Sequence, residues 1–267
     1  DDPRMPTLSG LRRRGYTARA IRQFCDHVGI SKQDSTIDMS IFEESIRNDL
    51  NLNAQRRMAV LNPLKVIITN YPAGQSEVIS IANHPQDDQF GRRDIRFGRE
   101  LWIERDDFKL EPPSKYFRLK PNGDVRLRCG YVITCHDVIK DTAGEVIELH
   151  CRYDPDTLGG KKPADGRKVK GIVHWLHADD AVDATIRLYD RLFQVEHPAA
   201  NDDFTQGLNP HSLTTQTNAK VEPSAAIARP GETFQFTRLG YFCADIKNHT
   251  SEHPVFNRTV ELKNNWK

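Results

Sequence analysis

Apolar residues in the first 55 positions recur at the spacing of amphipathic helices. One stripe follows an i, i+3, i+4, i+7 pattern and comprises Ile21, Phe24, Cys25 and Val28. Thr17 precedes this stripe and is its predicted N-cap, while Gly15 ends a short helix before it. A second stripe comprises Phe42, Ile46 and Leu50. Ser40 and Glu43 form a predicted capping box at its start, so residues 1–55 are predicted to be a helical subdomain.

From about Pro63 the pattern changes to short apolar runs separated by Pro, Gly, Asn and Asp. The runs predicted to be strands are 66–68, 78–81, 131–138, 146–150, 169–175 and 233–236. Many short strands at close spacing favour antiparallel sandwiches or barrels over a βαβ sheet. The predicted fold class is α+β, mainly β, with the helices first.

One predicted hairpin, residues 116–128, carries an unusual face. Its loop, Pro121-Asn122-Gly123, places Gly123 in the left-handed conformation and pairs Arg118 with Arg126. The inner face is apolar and comprises Phe117, Leu119, Val125 and Leu127. The outer face comprises Tyr116, Arg118, Lys120, Arg126 and Arg128. Directly opposed like charges destabilise a sheet, so this face favours an anionic partner such as single-stranded RNA. The alternative, that Asp106 or Asp107 neutralises it, carries equal weight.

Composition narrows the protein class. The 38 Lys and Arg residues nearly balance the 37 Asp and Glu residues, and the mean hydropathy is −0.64. No window approaches the roughly 18 apolar residues of a membrane span, and recurrent apolar residues exclude wholesale disorder. Net charge says nothing about where charge is placed. Basic residues cluster at 12–22, 115–128 and 161–170, and each cluster alone is more typical of a solvated surface.

No motif indicates catalysis or metal binding. The five cysteines include no C-x-x-C pair, which is typical of reduced thiols in a cytosolic protein. Cys135-His136 and His150-Cys151 could face each other across a hairpin, but adjacent strand residues point to opposite faces, so no metal is expected. The P-loop, G-x-S-x-G and H-E-x-x-H motifs are absent, so no catalytic residue is predicted. The chain begins Asp1-Asp2-Pro3, and we expect it to be a piece of a longer protein.

Several long strings carry a specific resemblance. They are DDPRMPTLSGLRRRGY at 1–16, NAQRRMAVL at 53–61, PADGRKVKGIVHW at 163–175, IRLYDRLF at 186–193, FQF at 234–236 and PVFNRTV at 254–260. In this order they closely resemble the part of glutaminyl-tRNA synthetases, chiefly the bacterial enzymes, that follows the signature lysine loop of the catalytic domain. The resemblance covers essentially the whole chain.

The resemblance implies an organisation and an activity. It implies a helical subdomain (1–55) and two antiparallel anticodon-binding β-barrels: a proximal barrel of 56–169 completed by 252–267, and a distal barrel of 170–251. The parent would be a cytoplasmic, monomeric class I aminoacyl-tRNA synthetase that attaches glutamine to tRNA(Gln) using ATP and Mg²⁺. Its nucleotide-binding motifs are not in this chain, which is therefore expected to be inactive alone and to hold no cofactor. Its partners would be the tRNA(Gln) anticodon loop and the parent's catalytic domain, with no membrane.

The resemblance also implies roles for individual residues. Around the middle anticodon base it implies Asn51, Arg56, Gln235 and, near by, Arg238. It implies that Arg118 reads the third base and Arg126 holds the first, with Arg128 close to the backbone. Lys115 belongs to the same anticodon-binding set, and Lys32 and Gln33 would meet the inner corner of the tRNA. Lys115 and Phe117 stand where the glutaminyl-tRNA synthetase used for this comparison has a glutamine and a lysine. A phosphate contact at Phe117 is therefore not expected.

Two other interpretations stay open. The first is the same region of a barrel-bearing glutamyl-tRNA synthetase, which the missing amino-acid pocket would distinguish. The second is a free-standing RNA- or protein-binding module with no synthetase attached.

Overall fold

The computed structural model describes residues 1–29, 32, 36–195 and 203–263. It divides the chain into two compact units. The first unit comprises Asp1–Arg57, Ala184–Thr217 and Ala226–Lys267, and the second comprises Met58–Asp183 and Asn218–Ala225. These boundaries differ from the predicted ones, because residues 184–217 and the C-terminal residues join the helices in one unit. The assignment of proximal and distal barrels stays a prediction.

The N-terminal helices are α1 (Leu8–Arg14), α2 (Ala18–Val28) and α3 (Met39–Asn53). The Thr17 hydroxyl accepts a hydrogen bond from Ala20 N, which confirms the predicted cap of α2. The capping box at Ser40 is wrong, because Asp38 lies two residues earlier and its carboxylate accepts from Ser40 N at 2.7 Å. An aspartate is as good an N-cap as a serine, so α3 begins at the earlier residue.

The helices pack on one apolar core in the first unit. Phe42, Ile46 and Leu50 are buried, as their spacing predicts. The predicted face of α2 is only partly correct: Ala20 is fully buried, whereas Cys25 and Val28 are exposed. α2 is an edge helix of this core and turns only its N-terminal half fully inward.

The strands of the described chain, numbered in order, are β1 (Gln55–Arg57), β2 (Ala59–Val60), β3 (Pro63–Ile68), β4 (Ser76–Ala82), β5 (Arg92–Gly98), β6 (Glu100–Glu104), β7 (Asp124–Leu127), β8 (Val132–Lys140), β9 (Val146–Asp154), β10 (Ile172–Val173), β11 (Trp175–His177), β12 (Val182–Tyr189), β13 (Leu213–Val221), β14 (Thr233–Phe236), β15 (Gly240–Ala244) and β16 (Val255–Val260). A short helix, α4 (Pro223–Ala226), lies between β13 and β14. All of the predicted strands exist, although 169–175 is divided between β10 and β11.

Each unit is built around a nearly closed, barrel-like sheet, which confirms a mainly β fold with helices first. In the first unit the strand order is β1-β14-β15-β16-β12, with β1 parallel to β14. In the second unit the order is β10-β7-β8-β9-β3-β6-β11, and β4 pairs separately with β5. The alternation of buried and half-buried residues along β3 and β7 turns one face of each strand into the core.

The predicted 116–128 hairpin is wrong. β7 pairs with β8 on one edge and with β10 on the other, where Ile172 is the partner of Arg126. Both edges are therefore occupied, and Arg118 does not pair with Arg126. The turn also differs, because Asn122 (φ 54°) is the left-handed residue and Gly123 N donates to Lys120 O at 3.0 Å. The turn begins at Lys120 with proline in its second position, and asparagine tolerates the left-handed conformation in the third.

Candidate nucleic-acid interface

Arg56 lies where α3 passes into β1. Its Nη1 donates to Ala54 O at 2.5 Å, and its Nη2 donates to both Asn51 O and Asn51 Oδ1 at 2.9 Å. Only 8% of the residue is exposed. The guanidinium fork thus satisfies backbone carbonyls that the end of α3 leaves without helical partners.

Gln235 is the register partner of Arg56, because β1 and β14 pair in parallel. Gln235 Nε2 donates to the Tyr241 hydroxyl at 2.9 Å, and that hydroxyl donates to Asn51 Oδ1 at 3.3 Å. Burial raises the pKa of Tyr241, so its phenol stays protonated and can act as this donor. Asn51, Arg56, Gln235 and Tyr241 therefore form one hydrogen-bonded set, here called the polar cluster.

The polar cluster borders an open cleft of about 540 Å³. Its lining is mostly polar and comprises Ser40, Glu44, Arg47, Asn48, Asn51, Gln235, Tyr241, Leu262 and Lys263. Arg47 and Lys263 supply positive charge, while amide and hydroxyl groups can both donate and accept hydrogen bonds. A cleft with these groups suits a base edge, which presents donors and acceptors side by side.

Arg238 lies at the tip of the β14–β15 hairpin, three residues after Gln235. Phe236 and Gly240 close this turn as register partners. Arg238 has φ 69°, a left-handed conformation that is uncommon for a residue with a Cβ. The turn thus places a cation just after the strand that carries Gln235.

A second basic surface lies in the second unit, around residues 112–120 and 168–171. Here an open cleft of about 460 Å³ is lined by Pro112, Pro113, Ser114, Lys115, Tyr116, Phe117, Arg118, Lys120, Asp124, Lys168, Lys170 and Gly171. Five of these side chains are cationic: Lys115, Arg118, Lys120, Lys168 and Lys170. We call this surface the basic cleft. No ion pair involves any of its four lysines within the described residues.

Arg118 is anchored at the wall of the basic cleft. Its Nη1 donates to Asp106 O at 3.1 Å, and its Nε lies 3.4 Å from Asp107 Oδ1. The alternative that Asp107 offsets this arginine is thus correct. The side chain is nevertheless 46% exposed, so part of the guanidinium faces solvent.

Arg126 and Arg128 do not line the basic cleft. Arg126 donates from Nη1 to Thr157 O at 2.7 Å and from Nη2 to Lys161 O at 2.5 Å, so it holds the segment after β9. Arg128 is exposed at the end of β7. The four arginine and lysine residues assigned to the anticodon in this unit therefore fall into two groups, with Lys115 and Arg118 in the cleft.

The structure describes one of the two residues that the resemblance places at the inner corner of the tRNA. Lys32 is exposed in a bend, and Gln33 lies outside the described residues. The predicted site also omits Tyr241, Lys168 and Lys170, which the structure brings to the two clefts. For Tyr241 a signal exists in the sequence, because a short turn after Gln235 brings the next strand back beside it.

Neither metal nor membrane features are found in the part of the chain that the structure describes. It contains no group of three or more His, Cys, Asp or Glu side chains placed to hold a metal ion. Its helices lack the length and hydropathy of a membrane crossing. Cys135 and Cys151 are buried register partners of β8 and β9.

Comparison with known families gives two consecutive matches. Both are to models described as class I tRNA synthetases (E and Q), anti-codon binding domain, and they cover residues 54–154 and 172–245. Together the two matches span most of the chain, including β1, the 112–124 part of the basic cleft and β14.

Curated relatives match the whole chain. A glutamine–tRNA ligase from Vibrio vulnificus is 53% identical over 266 residues, which is 100% of this chain and 48% of the relative. Ligases of the same name from Pseudomonas syringae pv. tomato and Photobacterium profundum are each 52% identical, with 47% of the relative covered. The chain thus spans about half the length of the curated relatives it matches.

Proposed function

The chain belongs to the family of anticodon-binding domains of class I tRNA synthetases (E and Q), and we propose that it is the part of a glutamine–tRNA ligase that binds the anticodon loop of tRNA(Gln). The observation that carries this proposal is the polar cluster. Gln235 is distant in sequence from Asn51 and Arg56, yet the Tyr241 hydroxyl links it to Asn51, and Arg56 donates to Asn51 directly. A base edge in the adjacent cleft would meet amide, hydroxyl and guanidinium groups together.

The proposed contacts with the tRNA are divided among the polar cluster, the basic cleft and residues outside both. The polar cluster, with Arg238 near by, takes the middle anticodon base. Arg118 reads the third base beside Lys115, while Arg126 holds the first base and Arg128 meets the backbone. Lys32 and Gln33 meet the inner corner of the tRNA. Unpaired bases expose their edges, and the exposed lysines of the basic cleft attract the phosphates between them.

The parent protein completes the proposed activity. Its catalytic domain, in the half of the relatives that this chain does not span, uses ATP and Mg²⁺ to attach glutamine to tRNA(Gln). This chain supplies anticodon binding and no catalytic residue. We propose a cytoplasmic monomer with no membrane partner.

Binding of RNA stem-loops tests this proposal. The 267-residue chain is titrated with the anticodon stem-loop of tRNA(Gln), the stem-loop of tRNA(Glu), and a tRNA(Gln) stem-loop with a scrambled anticodon. We expect the first to bind most tightly, with affinity that falls as salt rises. Tightest binding of the tRNA(Glu) stem-loop would favour a glutamyl enzyme, and equal affinity for all three would overturn specific reading.

Arg118→Ala sharpens the test, because this side chain is half exposed and its one ion pair among the described residues is with Asp107. We expect weaker discrimination at the third anticodon base, by about 1–3 kcal/mol, the scale of base discrimination by a good bidentate contact in DNA complexes. Arg229→Ala is the control, since Arg229 is exposed and lines neither cleft.

A further inference from the structure

We propose that the phenyl ring of Phe117 is a stacking platform for one unpaired base of the bound RNA. The proposal rests on the proposed function for the identity of the RNA, and it adds a binding role that the predicted site does not include. The predicted inward position of Phe117 is wrong. Its ring lies at the surface of the basic cleft instead.

The exposure of Phe117 is exceptional in this protein. Among the phenylalanines whose side chains the structure describes, it alone is more than half exposed, at 51%. Leu119, two residues later, is completely buried, so the chain turns inward immediately after Phe117. Exposing an aromatic ring forgoes the gain from burial, which makes this ring a candidate for burial against a partner.

The backbone holds the ring in place. A Cβ on Gly171 would lie 1.8 Å from Phe117 O, so the 112–120 segment is pressed directly against the backbone that leads into β10. Pro112 and Pro113 restrict the segment before it, and buried Leu119 fixes it afterwards. A ring on such a support loses little conformational freedom when a base stacks on it.

The charges around Phe117 identify the partner as a nucleic acid. Lys170 Nζ lies 5.0 Å from the centroid of the ring, and four further cations line the same cleft. The single carboxylate in the lining, Asp124, already accepts hydrogen bonds from Arg167 Nε at 2.8 Å and Thr134 Oγ1 at 2.5 Å. A flat ring for a base among lysines for phosphates is the combination used by proteins that bind single strands.

The test compares Phe117→Leu with Phe117→Tyr in the 267-residue chain. Leucine keeps an apolar side chain of similar size without a π face, whereas tyrosine keeps the face. The probe is the tRNA(Gln) anticodon stem-loop carrying 2-aminopurine at one loop position at a time. Ile147→Ala is the control, because Ile147 is an exposed apolar residue of β9 that does not line the cleft.

We expect the wild-type chain and Phe117→Tyr to change the 2-aminopurine fluorescence at one loop position. Phe117→Leu should abolish that change and weaken binding by about 5- to 100-fold, the range that follows from the loss of one base–aromatic stack. Thermal unfolding of each variant shows whether the fold is kept. An unchanged midpoint with weaker binding assigns the loss to the ring.

The two proposals fail in different ways. If the wild-type chain discriminates anticodons but Phe117→Leu binds and reports as the wild type does, the stacking role is overturned and the proposed function stands. If anticodons are not discriminated but Phe117→Leu still loses affinity and signal, the platform stands as a general single-strand site. Ring-dependent binding of an acidic peptide without binding of RNA would overturn both.

Discussion

Arg56 Nη2 donates to the backbone and side-chain carbonyl oxygens of Asn51 at the same distance, 2.9 Å. One guanidinium group thus closes the end of α3 and fixes the orientation of the asparagine amide. Asn51 Oδ1 also accepts from the Tyr241 hydroxyl. Arg56 and Tyr241 together therefore fix the direction in which the amide NH₂ group of Asn51 points. The polar cluster is therefore organised before any RNA binds, which reduces the entropy that binding must overcome.

Asn51→Ala tests whether this organisation matters for recognition. The substitution removes one acceptor of Arg56 and the acceptor of Tyr241, while Arg56 keeps the carbonyls of Ala54 and residue 51. We expect discrimination at the middle anticodon base to fall by about 1–3 kcal/mol in stem-loop titrations. Asn48→Ala is the control, since Asn48 lines the same cleft on the same helix. Equal effects of the two substitutions would contradict the role of the cluster.

Tyr241→Phe removes only the hydroxyl that links Gln235 to Asn51. Because Tyr241 is buried and its hydroxyl makes two part-buried hydrogen bonds, we expect the free energy of unfolding to fall by about 1 kcal/mol in urea titrations. Gln235 then loses its anchor, and middle-base discrimination should fall with it. Phe242→Leu, a substitution at a buried neighbour without a polar group, controls for packing. Lost stability without any change in discrimination would show that the hydroxyl is only structural.

Lys168→Ala reports on phosphate contacts in the basic cleft. Lys168 is exposed and has no ion pair among the described residues, so its loss should not affect folding. We expect affinity to fall equally for cognate and scrambled stem-loops. The slope of log K against log salt should become shallower by about 0.7, the contribution of one single-strand phosphate contact. Lys140→Ala, at the far end of β8, should leave the slope unchanged, and a shift of the slope there would argue against a localised surface.

The lowered pKa of Asp245 makes the stability of the fold depend on pH. Burial opposes its ionisation, but hydrogen bonds from Arg13, Asn257 and the amides of Lys247 and Asn248 outweigh it, so the pKa of the carboxyl lies below 3.8. A pKa lowered by folding contributes stability above the ordinary value, and this contribution is lost as the pH falls through the folded-state pKa.

Asp245→Asn should therefore destabilise the protein by about 3–5 kcal/mol at pH 7, because Arg13 and Arg187 lose a buried counter-ion. Urea unfolding at a series of pH values should show the gap to the wild type narrowing below about pH 4. Asp38→Asn is the control, since that exposed N-cap keeps an acceptor for Ser40 N. If the difference in unfolding free energy between the wild type and Asp245→Asn does not change with pH, the ionised carboxylate of Asp245 is not its cause.

Local pattern predicts the elements of this fold well and their partners poorly. Helical and strand periods locate α2, α3, β3 and β14, because each turns one face inward. The pairing of β7 could not be read locally, since β10, which takes its second edge, comes more than 40 residues later. With that edge occupied, residues 116–120 are displaced, and Phe117 moves from an assumed core position to the surface.

In the candidate site, too, the local pattern predicts residue types but not which residues come together. Nothing in the local pattern joins Arg56 to Gln235, and only the family resemblance brings them together before the β1–β14 pairing is seen. Arg126 has the residue type for base binding, but the carbonyls it contacts lie in a segment whose position depends on β9. Residue types thus indicate the chemistry, while the sheet partners decide which contacts each side chain makes within the fold.

The parallel pairing of β1 with β14 also has a consequence for synthesis of the chain. The second unit is nearly complete once residue 183 has emerged, whereas the first unit waits for strands near the C-terminus. Since domains generally fold as units during translation, the barrel with the basic cleft can fold first. The polar cluster forms only when β14 and β15 arrive, so a chain truncated before Gln235 would keep the basic cleft and lack the polar cluster. If the two surfaces read the anticodon as we propose, complete reading requires a finished polypeptide.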